Sequence, residues 1–223
     1  MNVHTVTGAL HNEGRAMNHP PFSHGGYTLR RACTAHLAGI AALIDNAYNE
    51  YGDRAMLRSA DADLLDIEQH VAGRGGRFTV VEDHEGNVVA SHAVSPLCHE
   101  NDLCVFKRFY LSPSLHGGVW GDILMDWAIL TAKALGFQNV EIWSDGRFAG
   151  AHALLRRFGF KHNGDTRSMN DDVMPYRELY FYLRISSAIL HSPVIDELRH
   201  AIAHTLSLSE SQALFHPPEP GLR

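Results

Sequence analysis

Chemistry is concentrated in the stretch Phe109–Gly121, which reads FYLSPSLHGGVWG and runs on into DILMDWAILTAKALG. Phe109, Tyr110 and Leu111 complete a β-strand, and Ser112–Gly121 form a turn of glycines and small polar residues. A helix begins near Gly121, with Ile123, Leu124, Trp127, Thr131, Ala134 and Leu135 at helical spacing. The amide N–H groups that open a helix have no partner inside it, and the aligned peptide dipoles place partial positive charge there. Strand, glycine turn and helix N-terminus together make an anion site, and a diphosphate-bearing cofactor is its natural guest.

A second stretch, Asn139–Phe160, reads NVEIWSDGRFAGAHALLRRFGF: a short strand, a turn and an amphipathic helix. Ser144 or Asp145 can cap that helix. Phe148, Ala151, Leu154, Leu155 and Phe158 share one face; Arg147, Arg156 and Arg157 fall largely outside it, and Gly159 ends the helix.

The first stretch resembles motif A of the GCN5-related N-acetyltransferases, the GNAT family, whose pattern is roughly V-x-P-x-x-R/Q-G-x-G-x-G/A. Leu111, Pro113, His116, Gly117 and Gly121 fill its places. His116 stands where the family prefers Arg or Gln. Val119 stands where it prefers Gly; a β-branched residue does not take positive φ, but its backbone N–H remains. Asp122 suits the helix dipole yet would lie close to a diphosphate. The second stretch resembles motif B, closing Gly-Phe included, and the resemblance spans about Tyr27–Ile185.

The resemblance implies an α+β fold: a twisted, mostly antiparallel mixed sheet with a splayed central strand pair and helices on both faces. It also implies acetyl-CoA, or another acyl-CoA, as co-substrate without a metal, with the pantetheine arm in the wedge between the parting strands. Phe109, Tyr110, Leu111, His116, Gly117, Gly118, Val119, Trp120, Gly121 and Asp122 then face the cofactor, joined by Arg147 and Arg156. An amide on the splayed strand, Leu111 or Phe109, would polarise the thioester carbonyl. Glu141 and Asp145 are candidate bases for the amine, although Glu141 reads equally well as a solvent-facing strand residue and Asp145 as a cap. The family's usual tyrosine acid, five positions before the closing Phe of motif B, is replaced by Leu155, which has no proton to donate. Tyr110, Tyr176 or a water would have to substitute.

Two functions follow: an acetyl-CoA-dependent N-acetyltransferase acting by direct transfer on a primary amine, or a GNAT-fold module that binds acyl-CoA for regulation or assembly. The acceptor would be a small-molecule amine, an amino acid or a peptide, and by resemblance it lies near the two helices after the first strand. Tyr48, Tyr51 and Arg54 are candidates for its wall.

The positioning elements follow from patterning. Residues 1–26 carry His4, His11, His19 and His24 without sustained periodicity and read as a loose arm, with Met17 an alternative start. Tyr27–Arg31 reads as a strand. Thr34 caps a helix to about Tyr51, and Ser59, Asp61 and Asp63 open a second helix carrying Leu64, Ile67 and Val71 inward. Arg77–Glu82 and Asn87–Val94 form a hairpin around His84, Glu85 and Gly86, followed by a loop at Ser95–Asp102 and a strand at Leu103–Leu111. Lys161–Asp165 starts a strand, Asn170, Asp171, Asp172 and Pro175 mark a loop, and Glu178–Ile185 is the last strand. His191–Leu206 is an amphipathic helix outside the family core, and Ser207–Arg223 frays. The domains are therefore an arm at 1–26, an acyltransferase unit at 27–186 and a helical extension at 187–223.

Composition sets bounds on this reading. The 223 residues suit one domain, and a net charge of −6 argues against nucleic acid as the main partner. Three cysteines are too few for a disulfide framework and suit a reducing, cytoplasmic compartment. Cys98, His99, Cys104 and His92 fit no zinc spacing. No apolar run is long enough to span a membrane, and no secretory signal is present. The extra C-terminal helix leaves room for a homodimer.

Overall fold

The computed structural model describes residues 22–57, 61–97, 102–170 and 174–215. Eight strands form one sheet: β1 (Phe22–His24), β2 (Tyr27–Arg31), β3 (Arg77–Glu82), β4 (Val88–Pro96), β5 (Leu103–Leu111), β6 (Asn139–Asp145), β7 (Lys161–Met169) and β8 (Tyr176–Arg184). Their spatial order is β1-β2-β3-β4-β5-β6-β8-β7, and only β5 and β6 run parallel. The helices are α1 (Leu37–Tyr48), α2 (Ile67–His70), α3 (Trp120–Ala134), α4 (Ala149–Arg157) and α5 (Ile195–Phe215).

Side chains alternate across a strand, so the two faces of the sheet bury different sets. On one face Phe78, Val80 and Ala93 pack against Ile40 and Ile44 of α1 and Ile67 of α2. On the other, Val81, Ala90, Phe106, Ile142 and Phe181 meet α3, α4 and α5. α3 is buried along most of its length, from Trp120 to Ala132. The expectation of a mostly antiparallel sheet with helices on both faces is met.

Several local expectations need correction. Phe22–His24 pair with β2 rather than belonging to a loose arm; the rest of that arm lies outside the described residues, as do Ser59, Cys98, His99, Asp171, Asp172 and the chain after 215. Thr34 does not cap α1. Its hydroxyl and amide both donate to Glu68, tying the start of α1 to α2, while His36 Nδ1 receives the Cys33 amide at 2.9 Å. The second helix is a single α-helical turn between 3-10 segments. The β3–β4 hairpin is organised by a residue outside the expected turn: Asp83 Oδ1 accepts the amides of Glu85 and Asn87, both at 2.9 Å.

The C-terminal helix covers the sheet. Leu198 and Ile202 join the cluster of Ile123, Leu124 and Trp127. The approach to α5 is pinned by Asp126, which is fully buried and accepts the amides of His191 at 3.1 Å and Ser192 at 2.5 Å. No helix is long and apolar enough to cross a membrane, and no cluster of metal-ligating side chains occurs, among the described residues.

Candidate functional site

The wedge expected between the central strands is present. β5 and β6 pair only from Leu103–Val105 to Asn139–Glu141, and beyond that rung the strands part. Part of the cause is on the other edge of β5. Ser91 pairs with Tyr110 but Ala93 pairs with Lys107, so Arg108 and Phe109 share the place opposite His92. This bulge puts Arg108 at φ 56°, and its carbonyl accepts a hydrogen bond from the buried Ser91 hydroxyl at 2.7 Å. A bulge of this kind bends its strand and increases its twist. The gap opens a cavity of about 100 Å³, walled by Phe106, Phe109, Met125, Ile142, Ala151 and Leu155 toward α3 and α4, and by Tyr48, Tyr110, Asp145 and Phe148 toward α1. The Ser112 amide donates to Val89 at 2.7 Å, so strand alternation turns the Leu111 amide the other way, to the open edge.

At the helix side of the wedge lies the glycine turn. Pro113–Leu115 form a 3-10 turn, Gly117 takes φ 70°, and Val119 stays right-handed at φ −73°. The left-handed position therefore falls on Gly117, and Val119 is accommodated without strain. The amides of Leu115 and His116 are used within the turn. Those of Gly117, Val119, Trp120, Gly121 and Asp122 have no protein acceptor among the described residues. These five are the orphan donors of a helix start, open to an anion.

No family model and no curated protein sequence matches the chain. Solved structures match it in fold. One is an acetyltransferase from Streptococcus agalactiae, with 20% identity over 72% of this chain and 99% of that one, at TM-score 0.59. Another is the spermidine N-acetyltransferase of Vibrio cholerae in complex with CoA and spermine, with 17% identity over 74% and 98% of the two chains, at TM-score 0.57. A third is a GNAT-superfamily phosphinothricin acetyltransferase from Sinorhizobium meliloti in complex with acetyl-CoA, with 19% identity over 76% and 91%, at TM-score 0.54. This chain has the GNAT fold. The strand β1 precedes the part read as motif-bearing, and α5 follows it.

Within the GNAT fold, several residues assigned to the cofactor from sequence serve elsewhere. The Trp120 indole is buried and packs edge-on against Phe22, His24 and Tyr27, so only its amide reaches the turn. His116 donates from Nε2 to the Leu111 carbonyl at 3.1 Å, bracing the turn instead of pointing at an anion. Asp122 is gripped by both terminal nitrogens of Arg157, which cancels the charge that would otherwise repel a diphosphate. Arg156 is directed to the β8 side of α4, 5.9 Å from the Phe181 ring centre.

Arg147 is the largest correction, because it packs against Tyr48 and Tyr51 on the α1 side, whereas the turn leads into α3 on the other face of the sheet. Its guanidinium binds Asp145 at 2.6 Å and Asp53 at 3.1 Å and lies over the rings of Tyr176 and Tyr51, 4.9 and 5.0 Å from their centres. Hydrogen bonds from Arg147 to Asp145 hold the guanidinium charged despite partial desolvation. Nearby, Arg108 binds Asp61 and Asp63. Burial opposes its charge, but the two carboxylates outweigh that and raise its pKa. Around this part of the cleft four carboxylates, Asp53, Asp61, Asp63 and Asp145, face two guanidinium groups and leave two net negative charges. Asp53 Oδ1 is buried with no hydrogen-bond partner.

The candidate catalytic residues divide. Tyr110 lines the cleft, with its hydroxyl 3.2 Å from that of Tyr48. Burial raises the pKa of both phenols, so both are neutral. Asp145 also lines the cleft, but it is no helix cap and accepts three N–H groups of Arg147 at 2.6–2.9 Å. Glu141 is outside the cleft: it sits on the last paired rung with Val105 and accepts the Tyr180 hydroxyl at 3.2 Å. Sequence reasoning missed one pair altogether. Ser144 lines the cleft, and His152 of α4 reaches its hydroxyl at 3.2 Å. Burial, helped by Arg156, lowers the His152 pKa and keeps the ring neutral. The spacing of eight residues across a strand end, a turn and a helix start carries no recognisable signal by itself.

Proposed function

We propose that the protein is an acetyl-CoA-dependent N-acetyltransferase that passes an acetyl group directly from the thioester to a primary amine. One observation carries this reading: a gap through the sheet opens beside five amides of the turn and helix start that have no protein acceptor among the described residues. In this reading the amides of Gly117, Val119, Trp120, Gly121 and Asp122 receive the diphosphate, and the Leu111 amide polarises the thioester carbonyl. The acidic part of the cleft, with two net negative charges, favours a cationic amine, whether a small molecule, an amino acid or a peptide terminus. Asp145 orients the ammonium; with three of its acceptor positions taken by Arg147, it passes the proton on to water. The amine nitrogen then bonds to the acyl carbon as the carbon–sulfur bond breaks. The sulfur leaves as a thiolate, which needs no strong acid and takes its proton from water; the Ser144 hydroxyl, beside His152 on the cleft wall, offers it a hydrogen bond in place of the acid that Leu155 does not provide. Holding amine and thioester in line supplies up to about 7–11 kcal/mol of the barrier reduction.

Residues 27–186 are the catalytic unit in this proposal, and the chain works in the cytoplasm, where Cys33 and Cys104 remain thiols. Calorimetry with acetyl-CoA tests the cofactor half. A Kd near 1 μM, about −8 kcal/mol, is expected; absence of heat at high ligand removes the reading. Thiol release across a panel of amines tests the transfer half, with cationic acceptors expected to react first. Binding without turnover on any amine would favour the second reading, a GNAT-fold acyl-CoA sensor, for which the loss of the usual acid at Leu155 is the supporting observation.

A further inference from the structure

Away from the central cleft, a cavity of about 40 Å³ lies between α3, α5 and the strands β2 and β3. Its walls are mostly apolar, formed by Leu29, Trp127, Ile202 and Leu206. Two guanidinium groups, Arg31 and Arg77, converge on it, and neither forms an ion pair among the described residues. Arg77 spends one terminal nitrogen on the neighbouring Gly76 carbonyl at 2.8 Å, while its buried Nε has no partner. Burial and the proximity of Arg31 both disfavour the charge of Arg77. From α3, Thr131 lines the cavity; it is 4% exposed and its hydroxyl is unpartnered. Like charges brought together with no ion pair of their own, since Glu68, which acts on Arg31 from a distance, is hydrogen-bonded to Thr34, lie here beside a buried hydroxyl with nothing to bind and make an electrostatically incomplete site.

We infer that this cavity is a second ligand site, for a carboxylate carrying a short apolar tail. The carboxylate would lie between Arg31 and Arg77, where the free Nε–H of Arg77 can form half of a forked pair. The tail would lie against Trp127, Ile202 and Leu206. The volume holds about three waters, roughly the bulk of three or four carbons. The site belongs to this chain's own architecture, because Ile202 and Leu206 come from α5, the helix outside the motif-bearing region.

The Trp127 indole reports on it directly, since it lines the cavity while donating to Thr79 Oγ1 at 3.3 Å. The full chain labelled with 15N-tryptophan shows three indole resonances, one for each Trp, assigned by Trp→Phe variants. Titration with butyrate is expected to move the Trp127 resonance saturably and to leave that of Trp143, on β6, in place. Sulfate, which lacks the tail, and butan-1-amine, which lacks the anion, should bind at least about tenfold more weakly. Arg77→Gln should weaken butyrate by at least about tenfold, with the other two indoles confirming that it is folded. If that variant does not fold, Leu206→Phe, which fills the cavity from α5, must abolish the shift. A midpoint unchanged in whichever variant folds, or equal midpoints for butyrate, sulfate and butan-1-amine, overturns the inference.

Discussion

Lowering the pH from 7.5 to 5 should cost this protein about 2 kcal/mol of stability through His92 alone. The residue is 1% exposed, on the α3 side of β4, with ring centres 4.8 Å from Phe106 and 5.7 Å from Phe109. The Lys107 backbone lies near, but neither ring nitrogen has a partner within hydrogen-bond geometry. Burial drives the pKa down from 6.5 to about 3. The unfolded chain therefore takes up a proton near pH 6.5 that the folded chain refuses until about pH 3. Because the folded pKa is depressed, the contribution is complete above pH 6.5 and is lost as the pH falls toward 3. At about 1.4 kcal/mol per pH unit, the loss is about 2 kcal/mol at pH 5 and approaches about 5 kcal/mol near pH 3. Urea unfolding of the parent and of His92→Leu at both pH values isolates the effect, since the other histidines are common to the two proteins. The pH-dependent loss should be about 2 kcal/mol smaller in the variant. Phe109 meets His92 edge-on and also walls the cleft, so acetyl-CoA affinity should fall in the same window. Equal pH slopes in the two proteins, or a His92 resonance that titrates above pH 5, would refute the reasoning.

Three further outcomes follow from the site. Arg108→Met leaves Asp61 and Asp63 without their buried partner and should destabilise by about 3–5 kcal/mol, read as a lower urea midpoint. Ser144→Ala should lower kcat by about tenfold while leaving the KM for the amine near its starting value, because it removes a hydrogen bond to the departing sulfur and not a contact with the amine. Arg157→Ala uncovers the charge of Asp122 at the helix start and should weaken acetyl-CoA about threefold, with Asp122→Asn restoring the loss in the double variant; the half-exposed position of Arg157 keeps the effect small.

The architecture was readable because its carriers are local. Leu103–Leu111 and Asn139–Phe160 hold strand, turn and helix signals within short windows, and the observed elements begin and end close to where those signals change. Gly117 and Gly159 fell at positive-φ positions, as glycine placement suggests. The errors have a common form. Arg147 and Arg156 are placed at the cofactor by position along the chain, but an arginine's role depends on which groups the fold brings to it. Arg147 meets Asp53, 94 residues away, and Arg157 meets Asp122, 35 residues away. No periodicity or cap rule contains such distances. The Ser144–His152 pair escaped for a related reason, since it depends on how the α4 helix sits over the end of β6.

The departures at His116, Val119 and Leu155 fall on side chains, whereas the features that best survive comparison with the family pattern belong to the backbone. A diphosphate on helix-start amides needs N–H groups in the right directions, which Val119 supplies as well as glycine once Gly117 has taken the left-handed φ. An arm between parting strands needs an unpaired edge, which the bulge at Arg108 and the short β5–β6 ladder provide whatever side chains flank them. What side chains must supply is acceptor choice and help for the leaving group, and at the cleft this chain carries a Ser–His pair and an Arg–Asp cluster walled by tyrosines. A GNAT scaffold can therefore lose a motif's preferred side chains and keep its ligand geometry. In the proposed reading, the residues that decide the acceptor should be sought at Asp53, Asp145 and Arg147, not in the glycine turn.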